Sequence, residues 1–354
     1  MSLLLPSLMQ AWICTGYGDA DVLQLQSRLL PEPGAQDILV QVCASTVSSG
    51  DVRIRSSTFP SGMGLLGRLI FGLLRPRQQV LGADLAGVVK QVGTKVTDFK
   101  VGDHVVAMTG LRQGAHAEYC VISANHCTVL KPATLSFSEA VALPFGGLTA
   151  LYFIKKAALK SGEHLLVIGA SGAVGVAVVQ LARLQGSKVT TLTSQRNQSL
   201  MRELGADEAL AYDSTDSLST QSRFDVIIDA VAARNFADCL PLLKPQGRYV
   251  AIAGGLPELM TRHKDGKACI SGPSDERSED LKLLLELAVQ GKIRAVTERI
   301  YPSDKLPDAH RHSDTGRKRG AVVVIWPAAT ENTRLNAKVS AATEADSLLI
   351  QAAS

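Results

Sequence analysis

Between Gly169 and Gly175 the chain reads GASGAVG, three glycines at three-residue spacing with Ala170, Ser171, Ala173 and Val174 between them. Side chains this small let backbone N–H groups approach an anion closely. The short apolar run Leu165 to Ile168 precedes them, as in a strand buried on both faces of a parallel sheet. An apolar stretch from Val176 to Ala182 follows, as in a helix packed on that sheet. Strand, glycine turn and helix in this order predict a dinucleotide cradle, with the diphosphate held at the positive end of the helix. Gly169, Ala170, Ser171, Gly172, Ala173, Val174 and Gly175 are the candidate cofactor contacts. A branched side chain at Gly172 is expected to fill the phosphate space and to crowd the helix against its strand.

The next strand bears on which nicotinamide is used. A fold selecting NAD places an acid about 20 residues past the turn, to accept from the ribose hydroxyls. Here that stretch is Thr193, Ser194, Gln195, Arg196 and Asn197, with no carboxylate. Ser194 can donate to a 2′-phosphate and Arg196 can pair with it, so NADPH is the expected cofactor.

These groups must be positioned by a chain of 354 residues, long enough for two domains. Lys plus Arg number 37 against 33 Asp plus Glu, a surplus too small and scattered to argue for nucleic acid. Six cysteines (14, 43, 120, 127, 239 and 269) form no C-x-x-C pair, which predicts neither a disulfide framework nor a zinc ribbon. The first twelve residues carry no basic leader and Pro6 breaks their apolar run, so the expectation is a cytoplasmic protein with no membrane partner.

Short alternating segments fill residues 11–47 and 81–123, as in a barrel-like β domain. TVSSGDVRIRSSTFP (46–60) reads as a polar functional loop, and GMGLLGRLIFGLLRPRQ (62–78) as an apolar flap over a pocket, with a membrane-grazing helix as the alternative. In 131–157, Pro144 with Gly146 and Gly147 is expected to end one helix before another begins near Leu148. From the cradle to residue 255 strands and helices alternate at the pitch of a doubly wound parallel sheet, GAVVVIW (320–326) is a last strand, and the polar, Ala-rich remainder reads as a loose tail.

Taken together, LGADLAGVV (81–89), FKVGDHV (99–105), GAHAEY (114–119), LPFGGLTAL (143–151), GASGAVG (169–175), FDVIIDAV (224–231), LKPQGRYV (243–250) and HRHSDTGRKRGAVVV (310–324) resemble the medium-chain dehydrogenase/reductase superfamily, in its zinc-free quinone oxidoreductase-like branch. The resemblance implies an α/β architecture: a Rossmann domain (132–289) inserted into a GroES-like, barrel-like catalytic domain (1–131 and 290–326), then the tail 327–354. Zinc-dependent relatives have His-Glu where this chain has Ala83 and Asp84 after Gly82, and the four-cysteine lobe is missing, which implies no zinc. It further implies that Thr149, Ala253 and Gly254 lie near the nicotinamide, that Val231 ends a strand at the cofactor and that Tyr212 reaches the 2′-phosphate. Where quinone reductases carry Asn, Asp and often Tyr, this chain has Ser48, Asp51 and Arg53. Ser48, Asp51 and Thr149 are therefore the candidate catalytic residues, with Ser48 able to hydrogen-bond a carbonyl oxygen. Homodimers are implied too, with KACIS (267–271) as a pairing edge strand.

The expected activity is hydride transfer from NADPH to a quinone or an α,β-unsaturated carbonyl. Two alternatives are an enoyl-thioester reductase and an NADPH-binding regulatory or structural protein with little turnover. Turnover on a panel of acceptors separates them.

Overall fold

The computed structural model describes residues 5–212, 218 and 223–327. Apart from Pro327, the tail lies outside the described residues.

The apolar run at 165–168 forms the strand His164–Ile168 at the centre of a seven-stranded sheet. On one side lie Lys188–Thr193 and then Glu208–Ala211; on the other lie Phe224–Asp229, Leu243–Ala251 and Lys267–Ser271, all parallel. In order of appearance this is 3-2-1-4-5-6, the doubly wound arrangement, whose crevice opens where the order reverses beside the first strand. Lys267–Ser271, expected at the edge, has the two-residue strand His263–Lys264 antiparallel against its first half.

The second sheet gathers chain from both ends. Asp37–Thr46 pairs with Asp84–Val92 and Tyr119–Ser123, and the final strand Ala321–Ile325 lies antiparallel beside it. The loop before that final strand crosses to the nucleotide sheet: Gly320 N donates to Ser171 O at 2.8 Å. Gly320 has φ +62°, and a Cβ there would stand 2.0 Å from Val296 O, so only glycine makes the crossing without strain.

Two helices differ from expectation, each for a local reason. The polar stretch after Thr46 is not a loop; it holds the helix Ser49–Ser56, opened by a capping box in which the Ser48 side chain accepts from Asp51 N and the Asp51 side chain accepts from Ser48 N. Pro144 begins a helix, Pro144–Lys156, instead of ending one. Proline suits the first helical turn, where its missing N–H has no intrahelical acceptor to lose. Gly146 lies inside this helix because it packs on the cradle helix, Ala173–Leu184, where a Cβ on Gly146 would meet Ala173 O at 2.2 Å; Gly147 faces Leu284 instead, 2.8 Å from where its Cβ would be.

Residues 62–78 contain the helix Gly64–Phe71, held through Gly67 against Phe59 and through Phe71, whose ring stacks on Phe59 at 5.6 Å. Its leucines do not cover a pocket. They are exposed, because the face that packs inward is the one carrying Gly67 and Phe71. All six cysteines are free, and burial pushes the thiols of Cys120, Cys127 and Cys239 up to about 12.

Candidate active site

A cavity of about 1050 Å³ lies in the crevice at the end of His164–Ile168. The turn that follows this strand builds one wall. Gly169 has φ +72°, and a Cβ there would lie 2.7 Å from the Val231 methyls, so Val231 rests directly on the turn. Gly172 is the N-cap of Ala173–Leu184, and the first-turn N–H groups of Ala173, Val174 and Gly175 have no intrahelical acceptor. These three residues, with Gly169, Ser171 and Gly172, line the cavity; Ala170 is fully buried behind them.

The glycines divide the work differently from expectation. A Cβ on Gly172 would meet only Gly169 O, at an ordinary 3.6 Å, so that position has room within the protein and faces the cavity. The close packing of helix on strand belongs to Gly175, where a Cβ would come within 2.4 Å of Gly169 O and 2.6 Å of Ala170 Cα.

Beyond the turn, Ser194, Arg196, Asn197 and Tyr212 line the far end of the cavity. Asn197 Nδ2 donates to Ser194 Oγ at 3.0 Å, and Thr193 Oγ1 donates to Ser171 Oγ at the same distance, tying this loop to the cradle. One Arg196 guanidinium nitrogen donates to Arg317 O at 2.7 Å, which steadies an exposed side chain. Arg234 and Arg317 also line the cavity. Asp229 fixes the Val231–Arg234 turn by accepting from Val231 N at 3.0 Å and Arg234 N at 2.9 Å. The groups around this end are mostly cationic, as a ligand with several phosphates requires.

The opposite wall comes from the other domain: Ser49, Arg53, Ser313 and Lys318, with Phe145 closing the side. Ser48 and Asp51 lie just beneath this wall, 2 % and 1 % exposed, and do not line the cavity. The Ser48 hydroxyl donates to Asp51 Oδ2 at 2.6 Å, and Asp51 Oδ1 accepts from Gly82 N at 3.1 Å. Both residues thus bind the helix start to the 81–84 turn, leaving the Ser48 hydroxyl no proton for a carbonyl oxygen. Thr149 Oγ1 donates to Phe145 O at 2.8 Å, and Thr149, Ala253 and Gly254 are likewise outside the lining.

Lys318 was not among the sequence candidates. Its Nζ donates to Val47 O at 3.0 Å from the cavity wall. Burial pulls the ammonium below the usual lysine range, while Asp51 and Asp84 pull the other way. Asp84 accepts from both Thr46 N (3.1 Å) and Thr46 Oγ1 (2.6 Å), and burial still lifts its carboxyl to about 7. His116, also fully buried, has Nε2 3.0 Å from Thr46 O, and its ring meets His310 edge-on at 5.4 Å. Among the described residues no group of three or more His, Cys, Asp or Glu converges as a metal site.

A carboxyl with a raised folded pKa makes the native state bind more protons than the unfolded chain, so stability falls as pH rises from about 4 to about 7. Asp84→Asn is expected to remove that component. Thermal melts from pH 4 to 8 should show a flatter profile than wild type, and an unchanged slope would show that Asp84 is ionised throughout.

Residues 34–145 match the alcohol dehydrogenase GroES-like domain and residues 204–324 the zinc-binding dehydrogenase family. A 2-methylene-furan-3-one reductase from Solanum lycopersicum is 32% identical over 335 residues, covering 91% of this chain and 80% of the relative. The chain belongs to the medium-chain dehydrogenase/reductase superfamily. An NADPH-dependent alkenal/one oxidoreductase of Arabidopsis thaliana is 30% identical, covering 90% of this chain and 80% of that protein. The structure of a quinone oxidoreductase from Coxiella burnetii superposes with a TM-score of 0.80 at 28% identity, over 90% of this chain and 99% of that one. As a member of this superfamily the chain is an enzyme with a nicotinamide cofactor.

Proposed function

We propose that this enzyme reduces quinones or α,β-unsaturated carbonyls with NADPH, and that it does so without zinc. The observation that carries the reading is a cavity running from a diphosphate cradle to a wall with a cation, Lys318, and, among the described residues, no converging metal donors. A divalent ion beside that ammonium would be repelled by it, and of the two histidines nearby, both fully buried, His116 is already bonded to Thr46 O and packs edge-on against His310.

When bound, the reduced nicotinamide supplies a hydride. The first-turn N–H groups of Ala173–Leu184 hold the diphosphate, and Val231 with the Gly169 turn shapes the side of the slot. Ser194, Arg196 and Tyr212 receive the 2′-phosphate. Hydride arriving at the acceptor carbon leaves negative charge on the acceptor oxygen, and Lys318 is the cation placed to hold that charge and return a proton. Ser48 and Asp51 position this wall through the helix cap and do not touch the acceptor.

Arg196→Ala is expected to weaken NADPH by about 1.5–3 kcal/mol, the scale of a hydrogen bond to a charged group, and to spare NADH. Titrating both cofactors against both proteins checks it; equal losses would place the 2′-phosphate elsewhere. The function itself is tested by following NADPH absorbance with 1,4-benzoquinone, a 2-alkenal and crotonyl-CoA. Turnover on the first two is the expected outcome. Turnover on the thioester alone would make this an enoyl-thioester reductase, and none on any would favour a binding protein.

A further inference from the structure

From Val52 to Ala83 the sequence contains five arginines and no Asp or Glu. Inside this stretch the helix Gly64–Phe71 lies on the protein along one narrow face. Gly67 is pressed against Phe59, Phe71 packs into the core of the β domain, and Tyr17 OH donates to Gly72 O at 2.5 Å. Turning 100° per residue from Gly67, Leu65 and Leu69 fall on the opposite side and Leu66 and Ile70 along one adjoining flank, so the four share one arc. All four are exposed, and Leu73 and Leu74 extend the arc past the helix end; Leu65 is 74% and Leu74 90% exposed. Six large aliphatic side chains within ten residues form a contiguous apolar surface of a kind soluble monomers seldom leave in water.

The chemistry around the arc selects its occupant. Arg68, Arg75 and Arg77 flank it, all exposed, and two of them are held in place: Arg68 Nε donates to Ser57 Oγ at 3.1 Å and lies over the Tyr17 ring, and an Arg77 guanidinium nitrogen donates to Leu69 O at 3.1 Å. The neighbouring segment continues the pattern. Leu256 N donates to Ser61 O at 2.9 Å, Leu256 and Met260 are exposed, and Arg262, His263 and Lys264 follow. Glu258, the acid in that neighbouring helix, is turned back to accept from Gly255 N at 3.0 Å. An apolar ridge with a cationic border and no acid of its own matches a bilayer surface rich in anionic lipid, with leucines entering the acyl boundary and arginines meeting headgroups.

We propose that the 64–77 ridge seats the enzyme on anionic membranes. The ridge is not part of the cavity wall, so this does not depend on the proposed reaction; its consequence for lipid-dissolved quinones or alkenals does rest on that reading. The test is co-sedimentation of the intact protein with vesicles of phosphatidylcholine alone and of phosphatidylcholine with 30% phosphatidylserine. Binding to the anionic vesicles should be at least about tenfold stronger, fall steeply at high salt, and drop at least about tenfold in Leu69→Ser/Leu73→Ser and in Arg75→Ser/Arg77→Ser. Unchanged NADPH affinity verifies that both variants are folded. Equal sedimentation with the two vesicles, or full retention by the leucine variant, would overturn the proposal. So would a concentration-dependent dimer abolished by the leucine variant, which would assign the ridge to a second copy. Burial of the ridge on NADPH binding without lipid, read by deuterium exchange, would make it a lid and would equally overturn it.

Discussion

Gly172→Val is expected to give a folded protein that has lost NADPH, with affinity down by at least about a thousandfold. The expectation rests on the direction in which a new side chain would point. At Gly172 a Cβ meets only Gly169 O at 3.6 Å, and φ is −72°, so valine needs no unusual backbone. Its two methyls instead enter the cavity at the N-terminus of Ala173–Leu184, where the diphosphate must approach within hydrogen-bond distance. Gly175→Val is the contrast. With Gly169 O only 2.4 Å from its Cβ, that substitution forces helix and strand apart and should lower the melting temperature markedly. Calorimetry and cofactor titration on both variants separate the roles. Undiminished NADPH affinity in folded Gly172→Val would move the cradle elsewhere.

Lys318→Met should lower kcat by about a hundredfold while leaving the dissociation constant of NADPH within roughly twofold. Loss of one preorganised donor to a developing oxyanion has effects of that order. A purely structural lysine, merely tying Val47 O to the 316–320 loop, would alter stability and cofactor affinity together and leave kcat nearly intact. The pH profile distinguishes these further. Burial holds the ammonium below the usual lysine range, so the wild-type rate should fall on the alkaline side as that proton leaves, and Lys318→Met should lack this limb. Lys318→Arg, which keeps the charge but alters its reach, should recover part of the rate. A wild-type alkaline limb in the methionine variant would exclude Lys318 as its source.

The cradle was legible because its demands are local. A tight turn, a close helix and an approaching phosphate each require a small residue within seven positions, and GASGAVG meets all three. Even there, which glycine packs and which one faces the ligand depended on Ala170 and Gly169 O lying behind Gly175. Ser48 and Asp51 were ambiguous for a physical reason: Ser-x-x-Asp is both a pair of catalytic-looking polar groups and a helix cap, and burial with the Gly82 N contact decides for the cap. Lys318 was illegible. In RKRG it reads as one more solvated charge, and its partners Val47, Asp51 and Asp84 are more than two hundred residues earlier in the chain. The 62–78 segment is plainly apolar in sequence, but sequence alone does not tell which side of a helix packs. Phe59 and Gly67 settle that.

Hydride transfer itself is the most direct test of the account. The enzyme, NADPH carrying two deuteriums at C4 of the nicotinamide, and 3-nonen-2-one should consume the cofactor at 340 nm. Mass spectrometry should then find nonan-2-one with one deuterium at the former β-carbon, at a rate insensitive to chelator. Tight NADPH binding with no oxidation on this enone or on 1,4-benzoquinone, or a reduced product without deuterium, would contradict it.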